Sequence, residues 1–277
     1  MKFFGYFFGG VLSLVLILVV IFWAGAQISL DRTFAHTQAT SELPFLNSNS
    51  SDGLVQIKTE RGDFRARVGG FGGQEERPLV VLLHGFPVTS AMWLDLIPAL
   101  VETGYRVVAF DQRGYSPQVR PEGVNQYVVS QMVSDVFAVA DVVGEESFHL
   151  VGHDWGAGVG WGVVLANPGR IISWTPLSIA HPAAFGAALL NDPDQQSRSG
   201  YFALFTTPGI PETLFTFNNF WFLKGIFEDM RAEKTDEYIN VFSEPGALTA
   251  ALNWYRASFG GNQIVNEVQD NDVTVPT

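Results

Sequence analysis

The 277-residue chain contains no cysteine, which excludes disulfides, thiolate chemistry and cysteine-ligated zinc. Positive charge is scarce as well: 16 Lys and Arg stand against 28 Asp and Glu, for a formal net charge of −12. Binding a nucleic-acid backbone needs clustered Lys and Arg. The nearest approach to a cluster is Arg61, Arg65 and Arg67, spaced as the polar positions of paired strands, so no nucleic-acid partner is expected. The glycine runs do not make a phosphate site either. Gly69-Gly70-Phe71-Gly72-Gly73 has no Lys-Ser/Thr pair behind it, and Gly156, Gly158, Gly160 and Gly162 never complete G-x-G-x-x-G. No motif asks for a metal or a cofactor, and no internal repeat is visible.

Long apolar runs are present. Phe3 to Leu30 carries no charge, and Leu12 to Trp23 is almost wholly aliphatic or aromatic. A helix of this length can cross the hydrocarbon core of about 30 Å, with Lys2 as a minimal positive flank. Ala24-Gly25-Ala26 has the small-x-small form of a cleavage site, so residues 1–30 read as a transmembrane anchor or a signal sequence. Either reading puts the folded part outside the cytoplasm: membrane-anchored, or secreted or periplasmic after cleavage.

Residues 31–53 read as a Ser/Thr/Asn-rich linker. Leu54–Lys58 and Phe64–Val68 alternate around Arg61-Gly62-Asp63, the pattern of a hairpin. Three continuous apolar runs follow, Leu79–Leu83, Val107–Phe110 and Phe148–Val151. Such runs suit strands buried on both faces of a parallel sheet. Helical patterns over 91–102 and 126–143 separate them, and Ile171–Ile179 forms a fourth run. The alternation predicts an α/β, doubly wound, mostly parallel sheet, with its core over 54–182. Residues 183–259 are aromatic-rich and helical in period, which predicts a helical insertion. Residues 260–277 return to the core, and Val273-Thr274-Val275-Pro276-Thr277 resembles the start of another buried strand.

The strongest chemical signal is Gly152-His153-Asp154-Trp155-Gly156, between the third apolar run and a helix. The pattern small-x-nucleophile-x-small marks a sharp strand-to-helix turn that lifts a nucleophile to the carboxyl edge of a sheet. Glycine is needed where backbone crowds such a turn, and the helix that follows aims N–H groups at the site. The alternative for Asp154 is an ordinary polar residue ending a parallel strand. A second signal, His84-Gly85-Phe86-Pro87, follows the first apolar run. A loop there can turn the Phe86 N–H toward the nucleophile, where with the Trp155 N–H it completes an anion hole. The His84 imidazole reads as a brace for that loop. Asp111-Gln112-Arg113-Gly114-Tyr115-Ser116, after the next run, reads as a structured supporting turn.

His-Gly-Phe-Pro, Asp-x-Arg-Gly-Tyr-Ser and Gly-His-Asp-Trp-Gly in this order resemble the epoxide hydrolase branch of the α/β-hydrolases. The likeness runs from about Val55 to the end, through His181-Pro182 and Leu252-Asn253-Trp254-Tyr255-Arg256. The resemblance implies an α/β-hydrolase fold with the insertion as a lid. It also implies Asp154 as nucleophile, an alkyl-enzyme ester, and Tyr255 as a lid tyrosine assisting the epoxide oxygen. The family's second lid tyrosine falls near Leu204, and Tyr201, one turn away, is the candidate substitute. The implied acid and histidine follow later strands. None of His36, His84, His149, His153 and His181 has that position. The chain is therefore expected to be a C-terminally truncated enzyme sequence, its last strands missing, that carries alkylation but cannot turn over. A dehalogenase is the alternative, with the Trp155 indole on a halide. A binding protein lacking the acid and histidine is the non-catalytic one. The Phe-rich insertion (Phe205, Phe215, Phe217, Phe222) suits either an apolar pocket, with an apolar small-molecule partner, or the core of the lid itself.

Overall fold

The alternating segments near the start of the folded part do form a hairpin, β1 (Gly53–Thr59) against β2 (Gly62–Gly69), with Ile57 opposite Phe64. The turn falls on Glu60-Arg61, one residue earlier than expected. In this computed structural model the described residues are Val20, Ile21, Ala24, 43–47, Ser50, 52–72, 77–260 and 273–277. Among them no helix is long and apolar enough to cross a membrane. The expected anchor or signal over residues 1–30 lies outside the described residues apart from Val20, Ile21 and Ala24. The linker expected over 31–53 is not free throughout. Gln56 of β1 donates to Pro44 O and accepts from Leu46 N, both at 2.8 Å, which covers an otherwise open sheet edge.

Each apolar run is a strand: β3 (Leu79–Leu83), β4 (Arg106–Phe110), β5 (Phe148–His153) and β6 (Ile171–Leu177). The sheet order is β1-β2-β4-β3-β5-β6. β3 pairs in parallel with both β4 and β5, and β5 with β6, while β2 meets β4 antiparallel. All five residues of β3 are buried, which is why the run has no polar alternation. Trp174 N of β6 donates to Pro276 O at 2.9 Å and Val275 is buried. The Val273–Thr277 run thus lies beside β6, where a further strand was expected.

The helix expected over 91–102 is broken into a 3₁₀ turn (Ser90–Trp93) and α1 (Leu96–Glu102). Pro98 is the reason: without an N–H it is tolerated only in a first turn, so the helix starts just before it. The next pattern gives a 3₁₀ turn (Val124–Tyr127) and α2 (Val129–Val142). Helix α3 (Trp155–Ala166) follows β5 directly. After β6 the chain is helical: α4 (Pro182–Asn191), α5 (Pro193–Arg198), α6 (Tyr201–Thr206), α7 (Ile210–Ile226), α8 (Ala232–Ser243) and α9 (Ala247–Phe259). α7 is kinked, with Asn218, Asn219 and Phe220 at positive φ.

These late helices are tied to the sheet and its loops by polar contacts. Glu237 of α8 receives Arg67 of β2 and, at 2.8 Å, the Thr89 hydroxyl. Arg120 pairs with Glu244 at 2.5 Å. The Trp254 indole donates to Arg113 O at 2.9 Å, which fixes α9 and hence Tyr255 over the carboxyl ends of the strands. Arg61 and Arg113 both bind the buried Asp135. Removing one partner of a buried pair of this kind costs about 3–5 kcal/mol.

Candidate active site

Asp154 ends β5 and caps α3 with φ 55° and ψ −123°, a strained conformation for a residue with a Cβ. Its neighbours allow this because they have no side chain. A Cβ on Gly152 would sit 2.6 Å from Gly156 C, and one on Gly156 would sit 2.5 Å from Leu83 C. Strand β3, the turn and α3 therefore meet backbone to backbone. Asp154 N donates to Leu177 O at 3.2 Å and its carbonyl accepts from Ala157 N at 2.8 Å, which locks the turn at both ends.

The carboxylate is received by backbone donors. Phe86 N–H donates to Oδ1 at 2.8 Å, and the Trp155 N–H donates to the same carboxyl. Both donors singled out in the sequence thus meet at Asp154. Gly85 permits the approach, since a Cβ there would stand 2.5 Å from Asp154 Cβ. The His84 ring is fully buried. Its Nε2 accepts from Gln112 N at 3.0 Å and its Nδ1 lies 2.9 Å from Gly85 O. Accepting at Nε2 leaves the hydrogen on Nδ1, so the neutral ring braces the 84–87 loop against the Asp111 turn. Burial, the largest cause, pushes the His84 pKa down and keeps the ring in that form.

Burial also raises the Asp154 carboxyl above the ordinary aspartate range, opposed by the Trp155 and Phe86 N–H groups and by His153. Loss of water thus outweighs these three contributions in direction. Tyr255 is 2% exposed. Burial and then the Asp154 charge raise its pKa, while a hydrogen bond from the Trp155 side chain acts the other way. Tyr201 is the more exposed of the pair, at 43%. Burial and Asp154 raise its pKa, and a hydrogen bond with the Tyr255 side chain lowers it. Trp155, Tyr255 and Tyr201 therefore form a connected row of polar tips beside the carboxylate.

All four residues line one cavity of about 550 Å³. Its other walls include Ile179, Pro182, Phe185, Phe202, Leu165 and Phe259. The phenylalanines proposed from sequence are elsewhere. Phe215 is buried in the core and Phe205 packs against Phe86 and Phe215, while Phe222 is exposed. Phe185, Phe202 and Phe259 were missed, because aromatic content alone does not separate a cavity wall from a helix interface. Leu204 is not among the residues that line the cavity, whereas Tyr201 is. His153 faces a different cavity, of about 480 Å³, with Met92, Lys234 and Tyr238. That follows from the alternation of side chains along β5.

Comparison with known proteins bears on this geometry. A family model described as the alpha/beta hydrolase fold matches residues 78–207. The AB hydrolase superfamily protein YfhM of Bacillus subtilis is 37% identical over 191 residues, 67% of each chain. Epoxide hydrolase 4 of Mus musculus is 32% identical over 216 residues, covering 74% of this chain and 59% of its own. The chain thus spans about three fifths of the length of that relative. A crystal structure of Bacillus megaterium epoxide hydrolase in complex with an inhibitor superposes with a TM-score of 0.68 at 26% identity. It covers 76% of this chain and 75% of that one.

Proposed function

Because this chain belongs to the α/β-hydrolase superfamily, we propose that it is a hydrolase that opens epoxides through an ester on Asp154. The observation that carries the proposal is the carboxylate itself. It stands at a strained strand-to-helix turn, receives two backbone N–H groups, and shares a cavity with two linked tyrosines. An Asp154 oxygen attacks an epoxide carbon and the ring C–O bond breaks. The departing oxygen takes a hydrogen bond, then a proton, from Tyr255 or Tyr201. The raised pKa of Tyr255 keeps its proton in place until that charge develops.

Water added at the ester carbonyl would give the diol and regenerate the carboxylate, with the Phe86 and Trp155 N–H groups stabilising the oxyanion. The described histidines are otherwise engaged. His84 braces a loop, His149 bonds Ser173 at 2.7 Å, His153 faces the second cavity, and His181 caps α4. The step assigned to the described residues is therefore the alkylation. The Trp155 ring packs edge-on against the Tyr255 ring, with centroids 5.1 Å apart.

The test is intact-mass spectrometry of the full chain with styrene oxide, followed by peptide mapping. A single adduct on Asp154 that persists after the epoxide is removed is expected, and Asp154→Asn should carry none. An adduct elsewhere refutes the assignment of the nucleophile. Multiple turnover would show that the general base is among these residues.

A further inference from the structure

Helix α3 carries four glycines, at 156, 158, 160 and 162, although glycine is a poor helix former. Three are explained by packing. A Cβ on Gly156 would meet Leu83 C at 2.5 Å, one on Gly160 the Trp174 ring at 2.5 Å (Cζ3), and one on Gly162 Val133 Cγ2 at 2.7 Å. Gly158 is different. The nearest atom to its Cβ would be Trp155 Cε3 at 3.9 Å, an ordinary contact, and its φ is not positive. The fold has room for a side chain at 158, yet the helix goes without one.

The open space at Gly158 belongs to the cavity that holds Asp154. Trp155, Gly158, Gly162 and Leu165 all line it, and a spacing of three, four and three residues keeps them on one helix face. From Gly158 to Leu165 that face runs about 10 Å at the helical rise, the length of an extended octyl chain. The same cavity is lined by Ile179, Pro182 and Phe185, which offer no hydrogen bond from their side chains, and by Gln195, Arg198 and Ser199, which can. We propose that Gly158 determines specificity at this site by keeping open an apolar slot along α3, which takes the alkyl chain of an elongated terminal epoxide. The epoxide ring lies at the Asp154 end and the chain points toward Leu165. This rests on the reading of Asp154 as nucleophile.

The test compares rates of Asp154 adduct formation on the full chain with the terminal epoxides of butene and decene, for the natural sequence, Gly158→Ala and Gly158→Leu. The natural chain is expected to favour the decene epoxide. The decene-to-butene rate ratio should fall about tenfold in Gly158→Leu, the scale at which apolar pockets reject misfit, and by less in Gly158→Ala. Gly158→Ala removes a helix-breaking glycine, so it supplies a folded variant if leucine disrupts folding. A ratio unchanged in the alanine and leucine variants overturns the slot. If no epoxide alkylates Asp154, the nucleophile assignment fails and the slot is judged separately by thermal shift with decanediol. Stabilisation of the natural chain that is lost in Gly158→Ala supports it, and equal or absent shifts in both overturn it.

Discussion

Replacing Gly85 by alanine pushes a methyl group into the nucleophile. The added Cβ would stand 2.5 Å from Asp154 Cβ and 2.8 Å from Cγ, where ordinary contact begins near 3.4 Å. One side must therefore retreat by about 0.9 Å. If the Asp154 side chain moves, Oδ1 leaves Phe86 N–H, now at 2.8 Å. If the loop moves instead, Phe86 N–H leaves Oδ1, and the His84 brace through Gly85 O and Gln112 N is strained with it. Both routes misplace the attacking oxygen by nearly 1 Å, a displacement that costs about 10²-fold in rate, or about 2.7 kcal/mol in the barrier. Overpacking should also cost about 1–3 kcal/mol of stability. The assay is the pseudo-first-order rate of Asp154 alkylation by styrene oxide, followed by intact mass, with melting temperature alongside. Alkylation within about threefold of the natural chain would refute the reasoning, because a displacement of this size cannot leave attack geometry intact.

Two further outcomes follow from the same site. Tyr255→Phe should slow alkylation about 10²-fold, the scale of one positioned proton donor. Tyr201→Phe should slow it less, since Tyr201 is the more exposed of the pair; an equal or larger effect in the mass assay would contradict that order. Asp154→Asn should stabilise the protein at neutral pH, read by denaturant titration. The folded carboxyl is raised above the ordinary aspartate value, so the natural protein loses stability as pH rises from below that value through the folded pKa. The advantage of the Asn variant should therefore shrink toward low pH, and an advantage independent of pH would contradict the upward shift.

The parts of the molecule legible in the sequence are those whose signal is local. Leu79–Leu83 reads as a buried strand because both its faces are covered. Gly152 to Gly156 reads as a turn because its two glycines meet backbone within the same motif or from the adjacent strand. The start of one helix is legible only in part: Pro98 is visible, but a hydrophobic pattern continuing across 91–102 hides the break before it. What the late helices contribute is not local. Glu237 and Arg67 lie 170 residues apart, and nothing near either one announces the pair. For the same reason Phe185, Phe202 and Phe259 could not be told from Phe205 and Phe215. All five are apolar residues in a helical insertion, and only lining the cavity or packing against Phe86 divides them.

The electrostatics of the site give a direction to the chemistry. Burial disfavours the charged form of Asp154, and the same charge disfavours ionisation of Tyr255 and Tyr201. Bond formation at Oδ1 or Oδ2 converts the carboxylate to a neutral ester, which removes both penalties at once and eases proton release from the tyrosines to the departing oxygen. Hydrolysis must restore the buried charge, so the second step runs against the environment that favours the first. Among the described residues, the Phe86 and Trp155 N–H groups and His153 are what oppose that environment at Asp154. Of these only the two N–H groups touch the carboxyl. A site that favours neutralising its nucleophile should hold the ester firmly, and the Asp154 adduct should outlast removal of the epoxide for as long as no base is brought to the ester.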